Sequence, residues 1–225
     1  MLTTDVGPWR VRVVATDRLD GDMHPERVAP DVLAARQRAV AGTVWPMLDQ
    51  VHGTDLVAFP SLVDAPIGDI AMIRPGRSPV AVWAADCAPV ALVGGEGTIA
   101  MVHAGWRGLA AGVLDVALRA VRGADGQVAR AVLGPAIGPC CYEFSADDLA
   151  AVATGVGVEA DAITGTTSWG TVALDVPAAI GAGLARGGVE LAATAPCTGC
   201  DERWFSHRCR AEPGRHALVA WAEPA

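Results

Sequence analysis

Basic charge is scarce in this chain: Lys and Arg together number 17 against 25 Asp and Glu, a formal net charge of −8 with a pI of about 5.0. Polynucleotides are held by clustered cations, so an acidic chain without a basic block makes a poor nucleic-acid binder. A small anion stays open, because one arginine and a few backbone amides hold a phosphate against an unfavourable overall field. Arginine dominates the cations and none of the motifs quoted below contains a lysine. A P-loop is therefore absent, as is a recognisable Schiff-base lysine. Long apolar runs are missing too. The mean hydropathy is +0.33 and 52% of the residues are hydrophobic. Yet no uninterrupted apolar stretch approaches the roughly 18 residues that a spanning helix needs. The excess comes from Ala, Val and Gly scattered through short runs, so no membrane partner is expected. Met1 to Pro8 shows no basic segment followed by an apolar one, and the expectation is a cytoplasmic protein.

Neither an internal repeat nor a low-complexity linker divides the 225 residues. With 19% charged residues the composition is globular, and a single α/β domain spanning residues 1–225 is the simpler reading. Strand-like alternation runs from Trp9 to Ala15, and Asp31 to Ala41 reads as a helix with Leu33, Gln37 and Val40 on neighbouring turns. Leu56 to Phe59 reads as a short strand. Three apolar runs follow: Pro79 to Ala84, Pro89 to Val93, and Thr98 to Val102. Gly105 to Gly108 reads as a tight loop and Leu109 to Val121 as a strong helix. Arg130 to Leu133 is another strand, entering the loop Gly134 to Pro139. Helices are expected near Ala146 to Ala153 and Val176 to Ala185, with strands at Val172 to Leu174, Val189 to Ala192 and Ala217 to Trp221. Gly155 to Gly170 reads as a loop.

Six cysteines occur, and without an export signal they read as thiols or ligands rather than disulfides. Cys140 and Cys141 are adjacent, a strained arrangement for a bridge, and read as ordinary turn or core thiols. Cys197-Thr198-Gly199-Cys200 has the spacing of a zinc half-site or a redox pair. A second half-site is not evident, since His207 and Cys209 merely flank Arg208, and plain burial is the simpler reading.

Three residues concentrate the chemistry: His52 in Gln50-Val51-His52-Gly53, Cys87 in Ala85-Asp86-Cys87-Ala88-Pro89, and His103 in Val102-His103-Ala104-Gly105-Trp106-Arg107-Gly108. Two imidazoles and a thiol suit a zinc ion, and three protein ligands leave a tetrahedral metal one open position, as in catalytic sites. The same residues admit another chemistry. Cys87 as nucleophile and His103 as its base, oriented by Asp86 or Gln50, would make a cysteine hydrolase. Beyond His103, the expected helix start puts unpaired amides and a positive dipole end beside the site. Gly105 and Gly108 permit close approach, and Arg107 can fork onto phosphate or carboxylate oxygens. The alternative for that loop is a tight turn whose arginine pairs internally.

Four ordered motifs carry a resemblance. They are Gln50-Val51-His52-Gly53, Ala85-Asp86-Cys87-Ala88-Pro89-Val90, His103-Ala104-Gly105-Trp106-Arg107-Gly108-Leu109, and Leu133-Gly134-Pro135-Ala136-Ile137-Gly138-Pro139-Cys140-Cys141-Tyr142-Glu143. Together with Leu174-Asp175, Cys197-Thr198, Phe205-Ser206, Arg208 and Gly214-Arg215, the chain resembles the YfiH family. That family is also called the laccase-domain, polyphenol oxidoreductase or peptidoglycan-editing-factor family. The resemblance implies mixed β-sheets flanked by helices, related to the layered folds of cysteine hydrolases. It implies zinc on His52, Cys87 and His103, with copper as an older assignment. It also implies phosphorolysis of adenosine, inosine and methylthioadenosine, with adenosine deamination. The partners are then a purine nucleoside and phosphate. Gln50, Gly105, Arg107 and Gly108 become the substrate and phosphate contacts, Cys87 belongs to the catalytic set, and Asp86 or Glu143 is the acid for the leaving base. Editing of peptidoglycan precursors by a cysteine amidase and copper-dependent polyphenol oxidation are the alternatives. Departures from the family pattern lie at Ala15 to Asp22, at Ala85 where a Thr is usual, and at Phe205-Ser206-His207-Arg208-Cys209-Arg210.

Overall fold

The computed structural model describes residues 2–62 and 65–225. In chain order it contains β1 (Leu2–Val6), β2 (Trp9–Ala15), α1 (Pro30–Ala41), β3 (Leu56–Ala58), β4 (Ile70–Ile73), β5 (Val80–Ala84), β6 (Ala88–Gly94) and β7 (Ile99–Ala104). There follow α2 (Trp106–Ala110), α3 (Val113–Asp125), β8 (Val128–Leu133), α4 (Ala146–Val156), β9 (Thr164–Thr166) and β10 (Val172–Leu174). The chain closes with α5 (Val176–Arg186), β11 (Leu191–Ala193), α6 (His207–Arg210) and β12 (His216–Pro224).

Side-chain parity builds four layers from these elements. A six-stranded mixed sheet runs in the order β11-β8-β6-β7-β4-β3, and a four-stranded antiparallel sheet in the order β1-β2-β12-β5. Strand β6 is apolar throughout and β7 is apolar except for His103, and both strands bury both faces. Val90, Leu92, Ala100 and Val102 pack under α2–α5, whereas Ala91, Val93, Ile99 and Met101 pack against the other sheet. The four-stranded sheet repeats the pattern. Val80, Val82, Leu218 and Ala220 point inward, while Ala81, Ala217 and Val219 meet Met23, Trp45 and Met47 beneath α1. Each fully buried Val, Leu, Ile or Met contributes about 2 kcal/mol, so the inter-sheet layer is the stiff part of the molecule.

Strand β2 and β10 coincide with their expected spans, and most other elements shift by a residue or two. One helix was expected from Leu109 to Val121 after a loop; two are found. Gly105 caps α2, which begins at Trp106, and Gly112 with φ +82 redirects the chain into α3. Apolar periodicity continues through that break, which hides it in the sequence. Val113, Leu114, Ala117, Leu118 and Val121 then form the buried face of α3. The expected strand at Val189 to Ala192 lies later, at Leu191–Ala193 in parallel pairing with β8, and the expected loop at Gly155 to Gly170 contains β9, paired with β10. No helix among the described residues is long and apolar enough to cross a membrane.

Candidate metal centre

Antiparallel pairing of β6 with β7 sets Pro89 opposite His103 and Ala88 opposite Ala104. The start of one strand therefore lies beside the end of the other, which brings Cys87 next to His103. On β7, His103 shares the parity of Ile99 and Met101, the face that meets the four-stranded sheet. Strand β4 pairs with β7 on the other side, Ile70 opposite Val102, and so delivers the preceding residue, Asp69, to His103.

Asp69 organises the centre from full burial. Its Oδ1 accepts from His103 Nδ1 at 2.8 Å and from the His52 amide at 3.0 Å, and its Oδ2 accepts from the Gly53 amide at 2.6 Å and the Val51 amide at 3.3 Å. His52 adopts φ +62, a left-handed conformation that is costly for a side-chain-bearing residue and is held here by those three amides. With Nδ1 of His103 donating to a carboxylate, Nε2 is the ring nitrogen turned to the cleft, where a metal would take the place of its proton. His52 Nε2 lies 3.7 Å from Cys87 Sγ, and the two imidazole rings cross at 72° with centroids 4.8 Å apart.

The electrostatics follow from that arrangement. Burial pushes the Cys87 thiol up, but the charges and hydrogen bonds of His103 and His52 outweigh it and bring it down to about 6. Burial lowers His103, yet the Cys87 sulfur and the Asp69 carboxylate raise it to about 9. Asp69 is pushed up by burial and held below the usual carboxylate range by His103 and the amides of Gly53 and His52. A thiolate and an imidazolium thus stabilise each other where a cation would replace the ring proton.

Gly105 makes the packing possible. A Cβ there would lie 2.7 Å from His52 Cδ2 and 3.2 Å from Cys87 Sγ. The three donor atoms of His52, Cys87 and His103 lie within 4.8 Å of one another, and this sulfur-and-nitrogen set fits a borderline transition metal. They open onto a cleft of about 160 Å³ that His24, Trp83 and Arg215 also line. Arg215 gives its hydrogen bonds to the backbone carbonyls of Glu212, Pro213 and Gly214. Among the described residues no carboxylate lies within ion-pair distance of it, which leaves its charge for an anion.

The remaining expected site residues are dispersed. Gln50 lines the cleft, but its amide is spent on the backbone of Trp83, donating to the carbonyl at 2.7 Å and accepting from the amide at 3.0 Å. Asp86, at φ +91, turns its carboxylate away from the cleft. It accepts from Thr198 Oγ1 at 2.7 Å, Ser206 Oγ at 2.8 Å and the Arg208 amide at 2.6 Å. Glu143 accepts from Trp169 Nε1 at 2.9 Å and lines a separate, larger cleft of about 550 Å³ with Phe144 and Arg208. Arg107 stacks its guanidinium 4.5 Å over the Trp106 ring. Gly108 approaches the Gly53 carbonyl, where a Cβ would come within 3.1 Å. Asp69 and Arg215 have no role assigned from the sequence; an Asp immediately before the apolar run Ile70 to Ile73 was the available signal for the first.

Comparison with known proteins gives these observations a context. Residues 17–223 match the family described as multi-copper polyphenol oxidoreductase laccase. The purine nucleoside phosphorylase SCO2081 of Streptomyces coelicolor is 40% identical over 204 residues, covering 85% of this chain and 80% of that protein. A purine nucleoside phosphorylase of Xylella fastidiosa is 36% identical over 184 residues, 77% of this chain and 70% of its own length. Among solved structures, Neisseria meningitidis protein NMB0706 superposes with a TM-score of 0.81 at 27% identity, covering 99% of this chain and 98% of that one. The Bacillus licheniformis hypothetical protein YfiH shares the fold, with a TM-score of 0.76 at 22% identity over 94% and 92% of the two chains.

Proposed function

The chain belongs to the multi-copper polyphenol oxidoreductase laccase family, and from that premise we propose that it is a metal-dependent purine nucleoside phosphorylase with adenosine deaminase activity. The observation that carries the reading is the convergence of His52, Cys87 and His103 on one point beside an unpaired Arg215. Relatives named for this activity supply the substrate class. The proposed ion is zinc on the three donors, with copper as the alternative occupant. Bound there, it supplies Lewis-acid charge to an oxygen of the substrate or of water.

The protein's own groups do the rest. Arg215 holds phosphate at the cleft; the amides of Gly105 to Gly108 are further candidate contacts, and Arg107 would join them only by leaving the Trp106 ring on which it is stacked. Phosphate oxygen bonds to the anomeric carbon as the bond from that carbon to the purine nitrogen breaks. The purine takes a proton and leaves, and ribose 1-phosphate remains. At about 160 Å³ the cleft is too small for a whole nucleoside with phosphate, so the base projects outward from it. Glu143 is the candidate acid for that base only where the base extends out of this cleft into the separate one that Glu143 and Trp169 line. Asp86 is a positioning residue, because its carboxylate's hydrogen bonds go to the loops that carry Thr198, Ser206 and Arg208. Gln50 likewise shapes the cleft by fixing Trp83 and so the approach to Cys87. We propose one catalytic domain over residues 1–225, working in the cytoplasm on small molecules.

Purified protein incubated with inosine, with and without phosphate, tests the reading. Hypoxanthine should appear only when phosphate is present, and adenosine should yield inosine on chelator-sensitive incubation. Base release that ignores phosphate would replace phosphorolysis with hydrolysis. The lowered Cys87 thiol favours a second reading, a cysteine hydrolase with His103 as its base. That reading requires turnover of an amide substrate that survives chelation and stops on alkylation of Cys87.

A further inference from the structure

Away from the cleft, the fold supplies a partner for Cys197 and Cys200. The short 3-10 turn Pro139–Cys141 brings the adjacent Cys140 and Cys141 to the C-x-x-C loop, and all four sulfurs lie within 4.8 Å of one another. Cys200 Sγ is 3.3 Å from Cys140 Sγ and 3.5 Å from Cys141 Sγ. Four sulfurs on one tetrahedral zinc, at a bond length of about 2.3 Å, stand about 3.8 Å apart. The cluster is therefore already close to the size of a tetrathiolate site, and its cysteines are unbridged.

Two further features suit ligation. Cys197 Sγ accepts the Gly138 amide at 3.0 Å, and the amides of Gly199 and Cys200 also face it. Backbone donors converging on one sulfur favour a thiolate, the form a metal takes. Glycine also clears the space. A Cβ on Gly199 would lie 2.8 Å from Cys141 Sγ and 2.6 Å from Cys209 Sγ, and one on Gly138 would lie 3.4 Å from Cys197 Sγ.

We propose that Cys140, Cys141, Cys197 and Cys200 form a structural site for zinc, separate from the cleft, that clamps together the two loops holding Asp86. Four thiolates select a soft or borderline ion and leave no open position, so the site is structural rather than catalytic. Each thiol gives its proton to solvent as it ligates, and binding weakens in acid. The loops meet at Asp86 directly. Ile137, just before the turn, donates its amide to the Asp86 carbonyl at 2.9 Å, and Thr198, inside the C-x-x-C loop, donates its hydroxyl to the carboxylate at 2.7 Å. Since Asp86 precedes Cys87 at φ +91, the clamp supports the backbone strain beside the cleft. Cys209 is a fifth thiol at the rim, at one of the positions where the chain departs from its family's usual sequence.

The test uses the full-length Cys87→Ala protein, reduced and metal-free, so that no thiolate remains in the cleft. Titration with cobalt(II) should give tetrahedral bands with strong sulfur-to-metal charge transfer, saturating at one equivalent and displaced by zinc. Five of the six cysteines remain in this variant, and zinc should shield four of them from a thiol reagent. The further change Cys197→Ser with Cys200→Ser should abolish both signals. Should that variant not fold, the protection of thiols by zinc in the Cys87→Ala protein decides the matter alone. Cobalt spectra without thiolate charge transfer, thiols that react equally with and without zinc, or intramolecular disulfides in protein prepared without reductant would each overturn the proposal. None of these readouts depends on nucleoside turnover.

Discussion

Asp69 and His103 are joined twice, ring to carboxylate and amide to carbonyl, each at 2.8 Å. The same carboxylate holds the backbone on both sides of His52, so one buried acid sets the two imidazoles. Asp69→Asn keeps an oxygen for some of these donors but removes the charge and puts N–H groups where acceptors are needed. Groups that orient metal-binding histidines in this way are worth about 10- to 100-fold in affinity, and the variant should lose zinc affinity by that factor. Competition against a chromophoric chelator measures it. An affinity equal to wild type would show that His103 needs no orienting carboxylate.

Gly105 has φ −72, a value open to every residue, so its replacement by alanine carries no backbone penalty. The cost is steric, at 2.7 Å from His52 and 3.2 Å from Cys87. Misplacing reacting groups by an ångström costs about 10²-fold, and kcat/KM of Gly105→Ala should fall by that order while the melting temperature of the metal-free protein moves little. Gly123→Ala is the control, since nothing lies within 4 Å of its added methyl in the interior of α3, and it should leave activity unchanged.

The three cleft donors were legible because each follows an apolar run beside small or turn-forming residues, and the family resemblance then favoured a metal over a nucleophile. Their organiser was not. Asp69 immediately precedes a four-residue strand too short to stand out, and its role arises from the pairing of that strand with β7, a contact made only by folding. Asp86 and Gln50 show the converse. Their side chains are chemically suited to acid and substrate roles, but the loop at Thr198 and the strand at Trp83 claim their hydrogen bonds. The layered fold was accessible from the both-face-buried runs of β5, β6 and β7, whereas the break at Gly112 was masked by apolar periodicity on either side.

Without metal, Cys87 should be an unusually reactive thiol. Its neighbours bring it to about 6, so the alkylation rate of the metal-free protein should rise through an inflection near that pH and then level. Zinc should suppress the reaction across the range. Peptide mass spectrometry assigns the modified residue among the six cysteines. In His103→Ala the inflection should move upward, toward the ordinary thiol value of about 8.5. An inflection already at the ordinary value in wild type would contradict the thiolate–imidazolium pair.

The acid limb of stability should belong largely to His216. This residue opens β12 opposite Ala84, packs its ring 5.7 Å from Trp204, and is fully buried. Burial lowers its imidazole to about 4, with the Pro135 carbonyl raising it only in part. The unfolded chain binds a proton near the ordinary value of about 6.5, whereas the folded chain resists until near 4, so between them the unfolded state carries more protons. Stability is then complete above about 6.5 and is lost as pH falls through the folded value, by up to about 3 kcal/mol. Urea unfolding on either side of that window should show the drop in wild type. His216→Phe gives up the 3.3 Å bond to Pro135 and should be weaker at neutral pH, but its stability should fall less steeply into acid. Parallel acid slopes for the two proteins would assign the loss to other groups.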